Sequence, residues 1–438
     1  MRYAVTLRGL TASEIHDEVK SIGGRNMRVA LASKQVFCDL NEDQAKNLRS
    51  KGFKVTAIRR VITDSLDTIG AVTPPTPQAG RPIYTTDDLL ALAGLDQLKY
   101  LFTPPPDGEG YNLAIIDTGI RETHEAIRGR VVYNKNFTSD PMEDGFDHGT
   151  GVCSIALAIA PKCNILNLKV LDSNGVGTEE EVALAVDDCI SLLDTDPDIA
   201  PHVINLSLGS PDDGDPDNPV RVACREAIAR GIYVIAAAGN QGPAPQTINC
   251  PACDELVVAV GSVRYESETE TFSVSYFSSR GPTQEGLIKP DVVFFGEDVV
   301  VASSANDSAT TAKSGTSFTA PDYSGMAVLY LQGMSMLGTI RLARGVSIPS
   351  IHPSLQRPAT QEEMLNVYLP LATGKPPGTS PGKDNDYGYG IPYGPHVMSY
   401  ISRIFSEASV SQVLSIAVPL VGMGMLGMMM ASVSKAVR

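Results

Sequence analysis

The chain has 438 residues, enough for more than one domain, and 43% of them are hydrophobic, which excludes a mainly disordered protein. The formal net charge is −15 and no Lys/Arg cluster interrupts the acidity, which argues against nucleic acid as a partner because phosphate binding needs a basic footprint. The acidity instead keeps a large domain dispersed.

The opening "MRYAVTLRGL" alternates and carries charge, so it does not read as a secretory signal. Residues 1–61 read as a small separate unit. "YAVTLRG" (3–9) alternates like a strand, and "TASEIHDEVKSIGG" (11–24) is a helix with a capping box from Thr11 to Glu14 and glycines at its end. "MRVALAS" and "QVFCDL" pair as strands, "NEDQAKNLRSKG" (41–52) is a second helix capped by Asn41, and "FKVTAIRRV" is a last strand. The order βαββαβ predicts a small α+β, ferredoxin-like domain.

Residues 62–110 are a looser connection: "AVTPPTPQAGRP" (71–82) cannot continue a regular element, and one short helix, "TTDDLLALAGLDQL", interrupts it. From 111 onward apolar runs alternate with helical patterns. "NLAIID" (112–117), "NILNLKVL" (164–171), "HVINLSLG" (202–209), "YVIAAAGN" (233–240) and "LVVAVGSV" (256–263) have the continuous hydrophobicity of parallel strands covered on both faces. Helical stretches at 149–160, 178–193 and 219–230 lie between them. The pattern predicts an α/β domain over 111–395 with a mostly parallel central sheet flanked by helices. The Pro- and Ser-rich stretch 339–385 reads as an insertion.

Between Ala408 and Ser434 there is no charged residue, so 408–434 is long enough to span a bilayer as a hydrophobic C-terminal helix. The expectation is a membrane-associated protein held by this tail, with neither side of the membrane favoured by the flanking charges. A buried core helix and a Met-rich surface for a protein partner are the alternatives.

Seven cysteines at scattered spacing do not form a disulfide framework. Five lie in apolar runs, where Cys acts as a small buried hydrophobe; Cys250 and Cys253 form a C-x-x-C that reads as a loop with two thiols, a metal or redox pair being the sharper alternative.

Four polar residues stand at strand ends or helix starts of the predicted sheet, where open α/β sheets bind ligands. Asp117 ends "NLAIID", His148 lies in "DHGTGVCSIALAIA", Asn240 ends "VIAAAGN", and Ser317 opens a helix in "KSGTSFTAP". A serine hydroxyl is a weak nucleophile until a base takes its proton. His148 is such a base, a buried Asp117 would orient it, and the Asn240 amide with the Ser317 backbone N–H would hold an oxyanion.

In this order "AIIDTGI", "DHGTG", "VINLSLG", "VIAAAGN", "YFSSRGP", "KPDVV" and "SGTSFTAP" resemble the subtilisin-like serine proteases, the subtilases of peptidase family S8. The resemblance is strong over 111–335 and weaker at "DYGYGIP" (386–392). It implies a serine endopeptidase acting on polypeptide substrates, with Asp117 as orienting acid, His148 as base, Ser317 as nucleophile and Asn240 as oxyanion donor. It also implies that Ser207, Leu208 and Gly209, with Ala237, Ala238 and Gly239, line the specificity pocket and pair with substrate backbone. Two departures stand out: Gly151 replaces a second histidine, and Phe294 and Phe295 follow "KPDVV", placing aromatic bulk at a surface near the core.

The 1–61 unit is similar to the inhibitory propeptide of this family, implying an intramolecular inhibitor cut away within 62–90; a retained structural domain is the alternative. The chemistry requires no cofactor. Calcium is usual in the family, and "PDDGDPDNP", with Asp212, Asp213, Asp215 and Asp217, is either an oxygen-rich loop able to hold Ca²⁺ or a solvated acidic loop. The rival to the enzyme is a catalytically silent scaffold on the same fold, held on a membrane or in an assembly.

Overall fold

Alternation in "RYAVT" builds the first strand of the N-terminal unit; the computed structural model describes residues 1–63, 84–96, 105–343 and 358–393. The unit runs β1 (Arg2–Thr6), α1 (Ala12–Ser21), β2 (Arg25–Ala30), β3 (Gln35–Asp39), α2 (Glu42–Ser50) and β4 (Lys54–Ala57). Both helices start at capping boxes: Thr11 and Glu14 satisfy each other's backbone N–H groups, as do Asn41 and Gln44. The sheet order is β2-β3-β1-β4, antiparallel throughout. Tyr3, Val5, Val36 and Cys38 face the helices and close a small core with Ile15, Val19 and Leu48. Ala4, Ala30 and Phe37 point the other way and join the core of the larger body.

The stretch 53–61 is not one strand, as the sequence predicts, but parts of two. After β4 the chain turns at Ile58, whose N–H donates to the Arg2 carbonyl at 3.1 Å. It then enters β5 (Arg60–Thr63), which belongs to a different sheet. The boundary drawn at 61 therefore falls inside β5. Further on, the short helix α3 (Thr86–Leu92) is capped by Thr85.

The larger body contains β6 (Asn112–Asp117), β7 (Val131–Asn136), α4 (Gly149–Ile159), β8 (Asn164–Lys169), β9 (Val176–Thr178), α5 (Glu179–Thr195), β10 (Val203–Leu206), β11 (Leu208–Pro211), α6 (Pro219–Ala229) and β12 (Tyr233–Ala237). It continues with β13 (Asn249–Cys250), β14 (Val258–Glu266), β15 (Thr271–Val274), β16 (Val292–Phe295), β17 (Val299–Ala302), β18 (Thr310–Lys313) and α7 (Ala320–Ala343). Eight strands form one sheet in the order β15-β14-β12-β10-β6-β8-β7, with β16 also paired to β14; every pairing is parallel except β14 with β15.

The apolar runs are apolar because both faces are covered. Ala114, Ile116, Leu166, Leu168 and Ile204 pack with α5 and α6 residues such as Val182 and Ala223. Leu113, Ile115, Ile165 and Val203 pack on the opposite face with Val152 of α4 and Val328 of α7. Full burial of one such side chain stabilises by about 1.5–3 kcal/mol, so the sheet positions its strand ends firmly.

"HVINLSLG" also divides, at Ser207: β10 stays in the large sheet while β11 joins a four-stranded antiparallel sheet of order β13-β11-β5-β9. Phe294 and Phe295 are not at a surface. They are 0% and 2% exposed on β16, with Phe295 edge-on to Tyr265 and Phe272. Within 339–385, Gln361 docks on β12, accepting from Val234 N at 2.6 Å and donating to Val234 O at 2.7 Å. The membrane expectation rests on 408–434, which lies outside the described residues; among the described residues no helix is long and apolar enough to cross a membrane.

Candidate active site

Asp117 is the last residue of β6, at the carboxyl end of the parallel sheet. Its Oδ1 accepts from His148 Nδ1 at 2.7 Å and from Thr118 N at 2.7 Å, and the Asp117 and His148 side chains are each 1% exposed. Their approach depends on Gly149: a Cβ there would stand 2.3 Å from the Gly119 carbonyl oxygen and 3.1 Å from Asp117 Oδ1. Gly151 has a comparable reason. A Cβ would meet Val301 Cγ2 at 3.0 Å, so β17 fills the space a second imidazole would need.

His148 precedes α4 and is held there by a carboxylate that sequence reasoning missed. Asp144 Oδ1 accepts from Thr118 Oγ1 at 2.8 Å, Asp147 N at 3.0 Å and His148 N at 3.3 Å, and its Oδ2 accepts from Thr150 N at 2.9 Å. Thr118 Oγ1 in turn accepts from Gly149 N at 2.9 Å. The signal in the sequence was an Asp just upstream of a helix start, the usual place for a side chain that satisfies first-turn N–H groups. Burial presses the His148 imidazole toward neutrality. The Asp117 charge and hydrogen bond outweigh it, with Asp144 adding, and the pKa is raised above its ordinary value.

Ser317 does not sit exposed in the first turn of a helix. It is 0% exposed, in a short 3-10 turn (Thr316–Phe318) between β18 and α7. Each neighbour is tied to another candidate residue. Thr316 donates from N and Oγ1 to Asn240 Oδ1 at 2.9 and 3.0 Å, which turns the Asn240 amide nitrogen away from that contact. The Phe318 ring lies 5.3 Å from the His148 ring. The Ser317 carbonyl accepts from Ser207 Oγ at 2.9 Å, and Ser207 is fixed by Asn205, which Ser324 holds. Ser317 Oγ and His148 Nε2 are both buried, and neither has a hydrogen-bond partner among the described residues.

The expected specificity residues fall in two groups. Ala237 ends β12 and Ala238 and Gly239 follow it; Ala238 O accepts from Asn249 N at 2.9 Å, and Gly239 N donates to Thr316 Oγ1 at 3.1 Å. Leu208 and Gly209 lie on β11, and their edge is occupied by β5: Leu208 stands opposite Thr63 and Gly209 opposite Ile62. On its other side β5 pairs with β9, Arg60 opposite Thr178, Val61 opposite Gly177 and Ile62 opposite Val176, and Thr63 N donates to Gly175 O at 3.1 Å. The chain's own residues 60–63 thus form a middle strand of the sheet beside Ser317.

The N-terminal unit is also bound electrostatically. Arg2 pairs with Glu180 through two contacts of 2.6 Å, Arg28 approaches the same carboxylate at 3.3 Å, and Ser33 donates from N and Oγ to Asp187 at 2.7 and 2.9 Å. The acidic loop 211–219 faces this unit. Asp213 pairs with Arg59 at 2.6 Å, Asp217 with Lys54 at 3.0 Å, and Asp212 Oδ1 accepts from Gly214 N at 2.9 Å.

Cys250 and Cys253 are joined in a disulfide, correcting the reading of two thiols in a loop. Their sulfurs lie near Asp212, but bonded to each other they offer no thiolate to a metal. Cys250 pairs with Ser210, so the disulfide fixes the turn that follows β13, beside the strand that carries Leu208 and Gly209. Cys38, Cys153, Cys163, Cys189 and Cys224 are free and buried.

Serine protease AprX of Bacillus subtilis (strain 168) is 32% identical over 255 residues, 51% of this chain and 58% of that protein. Subtilisin of Bacillus sp. (strain TA39) is 31% identical over 248 residues, 51% of this chain and 57% of that protein. The chain thus spans somewhat under three-fifths of these two relatives. The intracellular serine protease of Paenibacillus polymyxa is 27% identical over 328 residues, 71% of this chain and 86% of that protein. The fold matches fervidolysin from Fervidobacterium pennivorans, a keratinolytic enzyme related to subtilisin, with a TM-score of 0.64 at 19% identity, covering 91% of this chain and 60% of that one. Residues 108–390 match the Subtilase family, Peptidase_S8, and with that span taking in more than half of its length, the chain belongs to the subtilase family.

Proposed function

We propose that the protein is a serine endopeptidase that first cuts its own chain after Thr63 and then hydrolyses other polypeptides. Ser317 attacks the scissile carbonyl, His148 takes its proton and returns it to the leaving amine, and Asp117 holds the His148 tautomer. The Asn240 side chain and the Ser317 backbone N–H receive the oxyanion. The observation that carries the reading is the register of β5: Thr63 lies opposite Leu208, and the adjacent Ser207 is bonded to Ser317. A strand held by backbone hydrogen bonds on both edges is how a protease binds an extended substrate. The same contacts make residues 1–63 an inhibitor until they leave, and the burial of Asp117, His148 and Ser317 in the intact chain fits that state. A silent scaffold would have no need to keep all four groups. We also place the enzyme at a membrane through 408–434, tested by vesicle flotation with and without that segment.

The deciding experiment is the intact mass of purified wild type beside Ser317→Ala, with fluorophosphonate labelling of both. Loss of residues 1–63 from the wild type alone, with labelling of the wild type alone, is the expected result. Equal masses and no labelling of either would sink the enzyme reading.

A further inference from the structure

Arg59, immediately before β5, is seated in a site that belongs to the larger body. Its Nε donates to Glu179 Oε1 at 2.8 Å, its backbone N to Glu179 Oε2 at 3.0 Å, and its Nη1 contacts Asp213 Oδ2 at 2.6 Å and Pro211 O at 3.2 Å. Its carbonyl accepts from Glu179 N at 3.1 Å. The Glu179 side chain is 0% exposed and is fixed independently of the N-terminal unit: Ser210 Oγ and Asn218 Nδ2 donate to Oε1 at 2.9 and 2.7 Å. It is also the first residue of α5, where the helix dipole favours a carboxylate.

Self-cleavage would remove Arg59 with the N-terminal unit, leaving a carboxylate that Ser210 and Asn218 still hold through Oε1 and whose Oε2 has no other partner among the described residues. A carboxylate fixed in this way is preorganised to take another guanidinium. We infer that Glu179, aided by Asp213, is a specificity-determining subsite that selects an arginine five residues before the cut bond, counting Thr63 as the first. The preferred substrates are then polypeptides with an arginine at that position ahead of a β-strand-forming segment. Neighbouring Arg60 is exposed and has no comparable acidic seat among the described residues, so the selection belongs to position 59 and not to basic character in general. The inference rests on the proposed cleavage after Thr63.

The test uses quenched fluorescent peptides of sequence AIRRVITDSLD, residues 57–67, and enzyme prepared by expressing the full chain. Replacing Arg59 of the peptide by Ala is expected to lower kcat/KM by at least about 30-fold, Lys to give an intermediate value, and replacing Arg60 to change it less than about threefold. In the Glu179→Gln enzyme the Arg and Ala peptides should be cut within about threefold of each other. Should that variant misfold, Asp213→Asn, a half-exposed position, should narrow the Arg preference several-fold. Cleavage between Thr63 and Asp64 at rates indifferent to residue 59, or an Arg preference that survives both enzyme variants, overturns the inference and leaves the protease reading intact. Failure to cut either the peptides or its own chain overturns both.

Discussion

Leu208 stands opposite Thr63 in antiparallel register, and Ser207, the residue before it, holds the Ser317 carbonyl at 2.9 Å. A strand that arrives from the N-terminal unit is thereby presented to the candidate nucleophile by the edge that would receive a substrate. Thr63→Pro removes the N–H that donates to Gly175 O and should slow self-cleavage by at least about tenfold, followed by intact mass over time. Unchanged kinetics would place the cut elsewhere.

Asn240 is aimed by Thr316, which occupies its Oδ1 with two donors. Asn240→Ala should lower kcat by about 10²–10³-fold with KM little changed, because an oxyanion donor acts mainly in the transition state. Thr316→Val leaves the amide present but less well oriented and should cost less. A larger effect on KM than on kcat would assign Asn240 to substrate binding instead.

His148 must be neutral to act as base, and Asp117 raises its pKa above the ordinary 6.5 despite burial. The acid limb of kcat/KM should therefore lie above that value. Asp117→Asn should move the limb down and lower kcat by about 10⁴-fold, the scale seen for the matching aspartate in chymotrypsin-type enzymes. The stability consequence has the opposite direction. A raised folded-state pKa stabilises fully below the unfolded value and is lost as pH rises through the folded value. In a Ser317→Ala background, the Tm advantage of keeping Asp117 over the Asp117→Asn substitution should shrink as pH rises through that range; an advantage that grows would refute the ion-pair account.

The Glu180 side chain is 7% exposed and receives both Arg2 and Arg28. Glu180→Ala leaves those guanidinium groups without that partner. After cleavage, the N-terminal unit should leave the mutant at least about 30-fold faster, seen as earlier onset of peptide hydrolysis. An unchanged lag would mean that apolar contacts through Phe37 dominate docking.

The disulfide Cys250–Cys253 closes a very short loop, so its loss should cost only about 2 kcal/mol of stability. Because Cys250 pairs with Ser210, the sharper consequence is for β11. Cys253→Ser should raise KM more than it lowers kcat; the reverse result would place the disulfide's influence on the Ser317 turn.

Much was determined by local sequence. The apolar run "NLAIID" could be read as a doubly covered strand because full burial demands continuous hydrophobicity, and Thr11–Glu14 and Asn41–Gln44 announced helix starts because capping is chemistry within one turn. Asp117, His148, Asn240 and Ser317 were legible as residue types at the ends of such elements. The tertiary structure alone decided that 53–61 and 202–209 each divide between two sheets, because strand partners are chosen by backbone hydrogen bonds to distant segments, which no local pattern encodes. It likewise decided that Phe294 and Phe295 are core, that Cys250 and Cys253 are bonded, and that Asp144 organises the His148 loop. Burial and side-chain hydrogen bonds depend on what packs against a residue, and that is a property of the folded chain.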